Sequence, residues 1–116
     1  MLADQPVETR LAHLEAILRS TVDVLATRRV RFVLDVVPAR SWVEDGLEWQ
    51  HYAPRIVDVA RRLDIAVLDG SDFFRNAAGH GQQLFFEKGD IHMNAAGHLL
   101  WARWLHGQLR TVAPDR

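Results

Sequence analysis

The chain has 116 residues, 48% of them hydrophobic and 25% charged, with a formal net charge of -1. That balance fits one soluble globular domain, or part of one, and argues against a disordered segment. Arginines spread along the chain rather than gathered on one face argue against a nucleic-acid partner, and the absence of cysteine removes disulfides and thiolate zinc sites. The N-terminal "MLADQPVETR" lacks the layout of a signal peptide, and no apolar run approaches ~18 residues, so no membrane segment is expected. If complete, such a chain is expected to be cytoplasmic.

Residues 6–26 carry Val7, Leu11, Leu14, Leu18, Val22 and Leu25 at three-to-four spacing behind Pro6, the pattern of an amphipathic helix. The apolar run "VRFVLDVVP" (30–38), ended by Pro38, predicts a strand covered on both faces. A loop, "ARSWVEDG", follows. The spacing of Trp49, Tyr52, Ile56, Val57, Ala60 and Leu63 predicts a helix over 47–63, kinked at Pro54 or starting near it. "IAVLD" (65–69) predicts a second short strand, and 70–90 a long loop with room for a turn of helix. Asn94 suits an N-cap for a last helix over 95–110 bearing Leu99, Leu100, Trp104, Leu105 and Leu109. The segment "NAAGH" occurs at 76–80 and at 94–98, too short a match for a repeat architecture.

Strand, helix and strand in this order imply an α/β fold, with two parallel strands joined by a right-handed crossover and ligands at their C-terminal ends. A two-stranded sheet is marginal by itself. Further strands are therefore expected from a partner, either a second copy in a homodimer or a missing N-terminal half.

The long loop ends in "GDIHMNAAGH" (89–98), where Asp90 and His92 stand two apart before the helix. A carboxylate beside an imidazole fixes the ring's tautomer and stabilises its cation, as a general base requires. Two other readings compete. Asp90 can simply help cap the helix while His92 is an ordinary polar residue, or Asp90, His92 and His98 can hold a metal, although no H-x-x-x-H spacing is present.

"DIHMNAAGH" followed by an apolar helix resembles the last motif block of the SGNH (GDSL-type) hydrolases, in the shorter Asp-x-His form of relatives that acetylate or deacetylate polysaccharides. "VRFVLDVVPAR" resembles that family's penultimate core strand, and "LEWQHYAPRIVDVARRLDIAVLDGSDFF" its next helix, its last strand and the Asp that often follows. This resemblance covers about residues 6–110. It implies a three-layer α/β/α flavodoxin-like parallel sheet, present in part, with two core strands and three helices. It also implies hydrolysis or transfer of an acyl ester of a small molecule or carbohydrate, including O-acetyl, with no cofactor and no metal. Asp90 becomes the triad acid and His92 the base, while Asn94 and Gly97 are structural at the site. His98 is a packing or helix-start residue.

The Gly-Asp-Ser nucleophile block and the oxyanion blocks of that family do not occur in the chain. Of the three serines, Ser20 lies within the first helix, and Ser41 lies in the loop after the first strand. Ser71, in "VLDGSDFF", is a candidate nucleophile only if its turn is sharp and strained. Trp42, with Ser41, is a candidate substrate contact on the ligand edge, whereas Trp49, Trp101 and Trp104 read as core. His13, His51, His80 and His106 have no partner at a telling spacing. Asp35 interrupts an apolar strand and is expected either to face the ligand edge or to pair with a buried Arg. The competing expectations are a truncated, inactive fragment serving as an interaction module and, third, a metal-binding protein.

Overall fold

A computed structural model describes residues 5–45, 52–87 and 90–112. In chain order it contains α1 (Val7–Thr27), β1 (Val33–Val36), a π-helical turn (Ser41–Asp45), α2 (Ala53–Arg62), β2 (Ala66–Asp69), α3 (Ser71–Gly79) and α4 (Ala95–Val112). The fold is mixed α/β, with four α-helices and a parallel sheet of two strands.

The ladder is shorter than the apolar run from 30 to 38 suggests. Val33 pairs with Ala66, Leu34 with Val67, Asp35 with Leu68 and Val36 with Asp69. Past Asp69 the chain turns into α3, so β2 offers β1 no further rungs. Pro38 lacks an N–H and ends any continuation of β1.

Each strand is entered through the same local device. After α1, Arg29 takes a left-handed conformation (φ 55°), and after α2, Asp64 does so (φ 58°). The following amides then reach back into the helix, Val30 to the Leu25 carbonyl at 3.1 Å and Ile65 to the Ala60 carbonyl at 2.9 Å. These bonds satisfy carbonyls that a helix end otherwise leaves open.

α2 begins at Ala53 with Pro54 in its first turn, where the missing N–H costs nothing, so the helix is not kinked there. The expected stretch 47–51, with Trp49 and His51, lies outside the described residues. Ala53, Val59 and Ala60 are the buried positions of α2, while Ile56, Val57 and Leu63 are half-buried. The expected loop 70–90 instead opens with α3, a helix of 9 residues that buries Phe74 and Ala77. "NAAGH" at 76–80 is the end of that helix, whereas at 94–98 it is a helix start. The same five residues thus serve opposite ends.

Two apolar clusters are buried, the first of them including strand residues. Leu18 of α1, Val59 and Ala60 of α2 and Ile65 form one, joined by Leu14, Val22, Phe32, Leu34, Leu63 and Val67. Val43, Phe74, Ala77, Leu84, Phe85 and Met93 form the other, with Ala78, Leu100 and Trp101 against it. Phe32 and Leu34 point to the first cluster by the two-residue alternation of a strand, so Asp35 points the other way. There its Oδ2 accepts the indole N–H of Trp101 at 3.0 Å. The expected arginine partner is replaced by a tryptophan of α4. Asp35 Oδ1 is buried without a hydrogen-bond partner among the described residues.

α4 covers less apolar surface than its sequence suggests. Leu99 is 52% exposed and Leu109 36%. Trp104 stacks on Phe73 at 6.3 Å and lies against Gly70, where an added Cβ would stand 3.1 Å from the indole. α1 and α2 are further joined at their surfaces by ion pairs from Arg55 to Glu8 and from Arg62 to Glu15. No helix among the described residues is long and apolar enough to cross a membrane.

Two outcomes follow for stability. A left-handed backbone costs an L-residue about 1–2 kcal/mol, part of which a glycine recovers, so Arg29→Gly is expected to stabilise the fold by about 0.5–1 kcal/mol in urea unfolding. Burial, opposed by the Trp101 hydrogen bond and aided by the charge of Asp69, pushes the Asp35 carboxyl above its ordinary value. Protonation of Asp35 therefore favours the folded state, and this contribution fades as pH rises through the raised folded value. Asp35→Asn, which keeps an acceptor for Trp101, is expected to be more stable than wild type at pH ~7 and to lose that advantage below pH ~4.

Candidate active site

The site is built on the segment between α3 and α4. Leu84 and Phe85 are buried at 1% exposure each and anchor the segment in the second cluster. Phe85 and Met93 then form an antiparallel bridge, and the Phe86 amide donates to the His92 carbonyl at 3.0 Å. The chain between them closes on itself, with the Asp90 amide donating to the Glu87 carbonyl at 3.0 Å. Asp90 and His92 are thus placed on a tight loop whose base is pinned by apolar burial.

Asn94 and Gly97 hold this loop to α4. The Asn94 backbone amide donates to the Leu84 carbonyl at 3.0 Å, and its side-chain amide donates to the carbonyls of Gln83 at 2.9 Å and Phe85 at 3.2 Å. Its Oδ1 accepts the Gly97 amide at 2.9 Å, three residues on, as an N-cap does. Four polar contacts from one residue therefore join the helix start to the loop base. They demand a close approach: a Cβ on Gly97 would lie 2.1 Å from the Leu84 carbonyl oxygen, so only glycine fits.

Within the loop, Asp90 Oδ1 accepts both the His92 backbone amide at 2.8 Å and a hydrogen bond with His92 Nδ1 at 2.7 Å. The backbone amide bond, then the ring bond, then the charges of His92 and Arg40 hold the Asp90 carboxyl below its ordinary value. Asp90 therefore stays ionised well into the acid range, and whatever stability it contributes is lost only as pH falls through that lowered value. With Nδ1 committed to the carboxylate, the other ring nitrogen, Nε2, is left to take or give a proton. The pair is open, with the His92 side chain 77% exposed and that of Asp90 46%. Phe86 and Ile91 beside it are exposed as well.

Arg40 completes the geometry, and nothing in its local sequence announces it. It leaves the loop after β1, its Nε donating to Glu44 at 2.8 Å and its Nη1 to the carbonyls of Glu87, at 2.8 Å, and Asp90. The guanidinium lies over the Phe85 ring, 5.9 Å from its centroid. Through Arg40, the Asp90–His92 loop is tied to the segment that follows β1.

The remaining sequence candidates are elsewhere or otherwise engaged. Ser71 is 3% exposed, and its hydroxyl donates to Asp69 Oδ1 at 2.6 Å while its amide donates to the same oxygen at 3.0 Å. These bonds fix the turn from β2 into α3 and direct the hydroxyl at Asp69 rather than at His92. Ser41 opens the π-helical turn beside Arg40 and is half-buried. The side chain of Trp42 lies outside the described residues. Ser20 is exposed on α1. His98 is exposed on the first turn of α4, its amide bonded to the Asn94 carbonyl. Among the described residues no three His, Asp or Glu side chains are grouped to hold a metal ion, so His98 does not join Asp90 and His92.

Compared with known proteins, the chain matches no family model, no curated protein and no solved structure.

The loop's attachment makes opposite predictions for two glycines of α4. Gly97→Ala is expected to destabilise the chain by ~2 kcal/mol or more, because the Leu84 carbonyl belongs to the backbone and cannot swing away. At Gly107 an added Cβ meets no atom of the described residues within 4 Å. Gly107→Ala is therefore expected to stabilise by about 0.5–1 kcal/mol, the gain of alanine over glycine inside a helix. Urea unfolding of the two variants checks both signs.

Proposed function

We propose that this chain is the acid–base half of an SGNH-hydrolase-like domain that hydrolyses or transfers an acyl ester, with an O-acetylated carbohydrate as a fitting substrate. The observation that carries this reading is the 2.7 Å contact between Asp90 Oδ1 and His92 Nδ1, on a loop tied by Arg40 to the segment that follows β1. A parallel strand pair with an apolar cluster of α1 and α2 residues on one face, and with Asp35 bonded to Trp101 of α4 on the other, suits a three-layer flavodoxin-like arrangement, whose ligands sit beyond the C-terminal strand ends.

In this mechanism His92 Nε2 removes the proton of a serine hydroxyl as the oxygen attacks the acyl carbon. The tetrahedral intermediate collapses when the imidazolium returns that proton to the departing alcohol. Water, or a second alcohol, then repeats the sequence in reverse and regenerates the serine. Asp90 holds the ring and stabilises its cation throughout. The serine and the oxyanion donors come from additional polypeptide, either an N-terminal half or a second chain. Ser71 does not fill this role, because its hydroxyl is buried and committed to Asp69.

A second reading, a non-catalytic interaction module, is favoured by the exposure of the pair together with Phe86 and Ile91. The two readings separate in one assay. The chain is combined with the polypeptide encoded directly upstream of its Met1 codon and supplied with 4-nitrophenyl acetate and acetylated xylan. The hydrolase reading expects ester turnover that falls by ~10³-fold or more in His92→Ala and by a comparable factor in Asp90→Asn, where the wrong tautomer is favoured. Turnover that survives His92→Ala, or no turnover above the rate of free imidazole, overturns it in favour of the module.

A further inference from the structure

We infer that Arg40 is a positioning residue for the Asp90–His92 pair, an inference that rests on the acid–base reading of that pair. Its side chain is 17% exposed, whereas Arg55 and Arg62, which join α1 to α2, are 41% and 62% exposed. Those two make surface ion pairs with carboxylates, a class worth little in water. Arg40 instead spends Nη1 on two main-chain carbonyls, Glu87 and Asp90, which bracket the turn carrying the acid. The Asp90 amide closes the same turn onto Glu87. One guanidinium nitrogen therefore fixes both ends of the turn, and Glu44 fixes the guanidinium by its Nε at 2.8 Å.

This arrangement uses the planar fork of arginine. A lysine ammonium keeps the charge but cannot hold Glu44 and both carbonyls in one plane. Packing of the guanidinium over Phe85, itself 1% exposed, orients the fork from below. The consequence lies in the ring of His92. With Asp90 held in place, the neutral imidazole carries its proton on Nδ1 and presents a bare Nε2, the form a general base needs. With the turn released, Asp90 no longer faces the ring and histidine reverts to its ordinary mixture, in which the proton sits mainly on Nε2.

Long-range ¹H–¹⁵N NMR of the whole labelled chain, at a pH where imidazole is neutral, reads this tautomer directly. Wild type is expected to show His92 as the Nδ1–H form. Arg40→Gln is expected to lower the Nδ1–H fraction by about twofold or more, and Arg40→Lys to fail to restore it, because the tautomer is set by the hydrogen-bonded orientation of the carboxylate. The Gly97 amide and the Trp101 indole N–H, each held by a hydrogen bond in which Arg40 takes no part, report whether a variant keeps its fold. If Arg40→Gln loses those signals, Arg40→Lys decides, since it keeps a cation on this side chain beside the Phe85 ring. A folded variant of either kind with an unchanged Nδ1–H fraction overturns the role of Arg40 while leaving the pair intact. A wild-type His92 in the Nε2–H form overturns the acid–base reading itself.

Discussion

The close passage of α4 beneath the carbonyl of Leu84 is the constraint from which the candidate site follows. Helix and loop can approach to that distance only because Gly97 has no side chain, and Asn94 converts the approach into four hydrogen bonds. A buried carbonyl left unpaired costs about 1–3 kcal/mol, so the buried Leu84 and Phe85 could not run through this position without such a donor. Once they do, Phe85 meets Met93 and Phe86 meets His92. Asp90 and His92 are close because the loop that carries them is short and closed at its base.

Electrostatics acts on this frame rather than creating it. Asp90 accepts two hydrogen bonds from one neighbour and feels the charge of a second, which together hold it ionised below the ordinary carboxylate range. Asp35 shows the reverse case. Its carboxylate is half-buried in the sheet, faces a tryptophan instead of a cation, and has Asp69 nearby, so the neutral form is favoured. Two aspartates in one small chain thus depart from the ordinary value in opposite directions, each for a reason visible in its contacts.

Much of the frame was legible before any coordinates. The periodicity of α1, the two apolar strands and the Asn94 cap are local signals, and local signals are what sequence patterns carry. Asp90 and His92, two residues apart, meet as their spacing allows. What was hidden depends on distance along the chain. Arg40 acts 47 and 50 residues away from the carbonyls it holds, and Asp35 finds its partner 66 residues on. α3 was obscured for a different reason: glycines stand at both ends, and its apolar face, Phe74 and Ala77, is only one turn long. The exposure of Leu99 and Leu109 was equally invisible, since periodicity marks an apolar face but not whether anything covers it.

The two left-handed residues and the locally closed loop bear on the order in which the chain takes shape. Bonds across three to eleven residues define the ends of α1 and α2 and the whole base of the Asp90–His92 loop. Contacts of such short span close quickly and at small entropic expense, whereas the strand ladder joins residues 33 apart, as in Val33 with Ala66. The imidazole and its carboxylate consequently belong to a unit that can assemble ahead of the sheet, with Arg40 arriving afterwards as a latch between the two. The Asp90–His92 contact is thus carried by its own peptide segment and does not wait for the strands to pair.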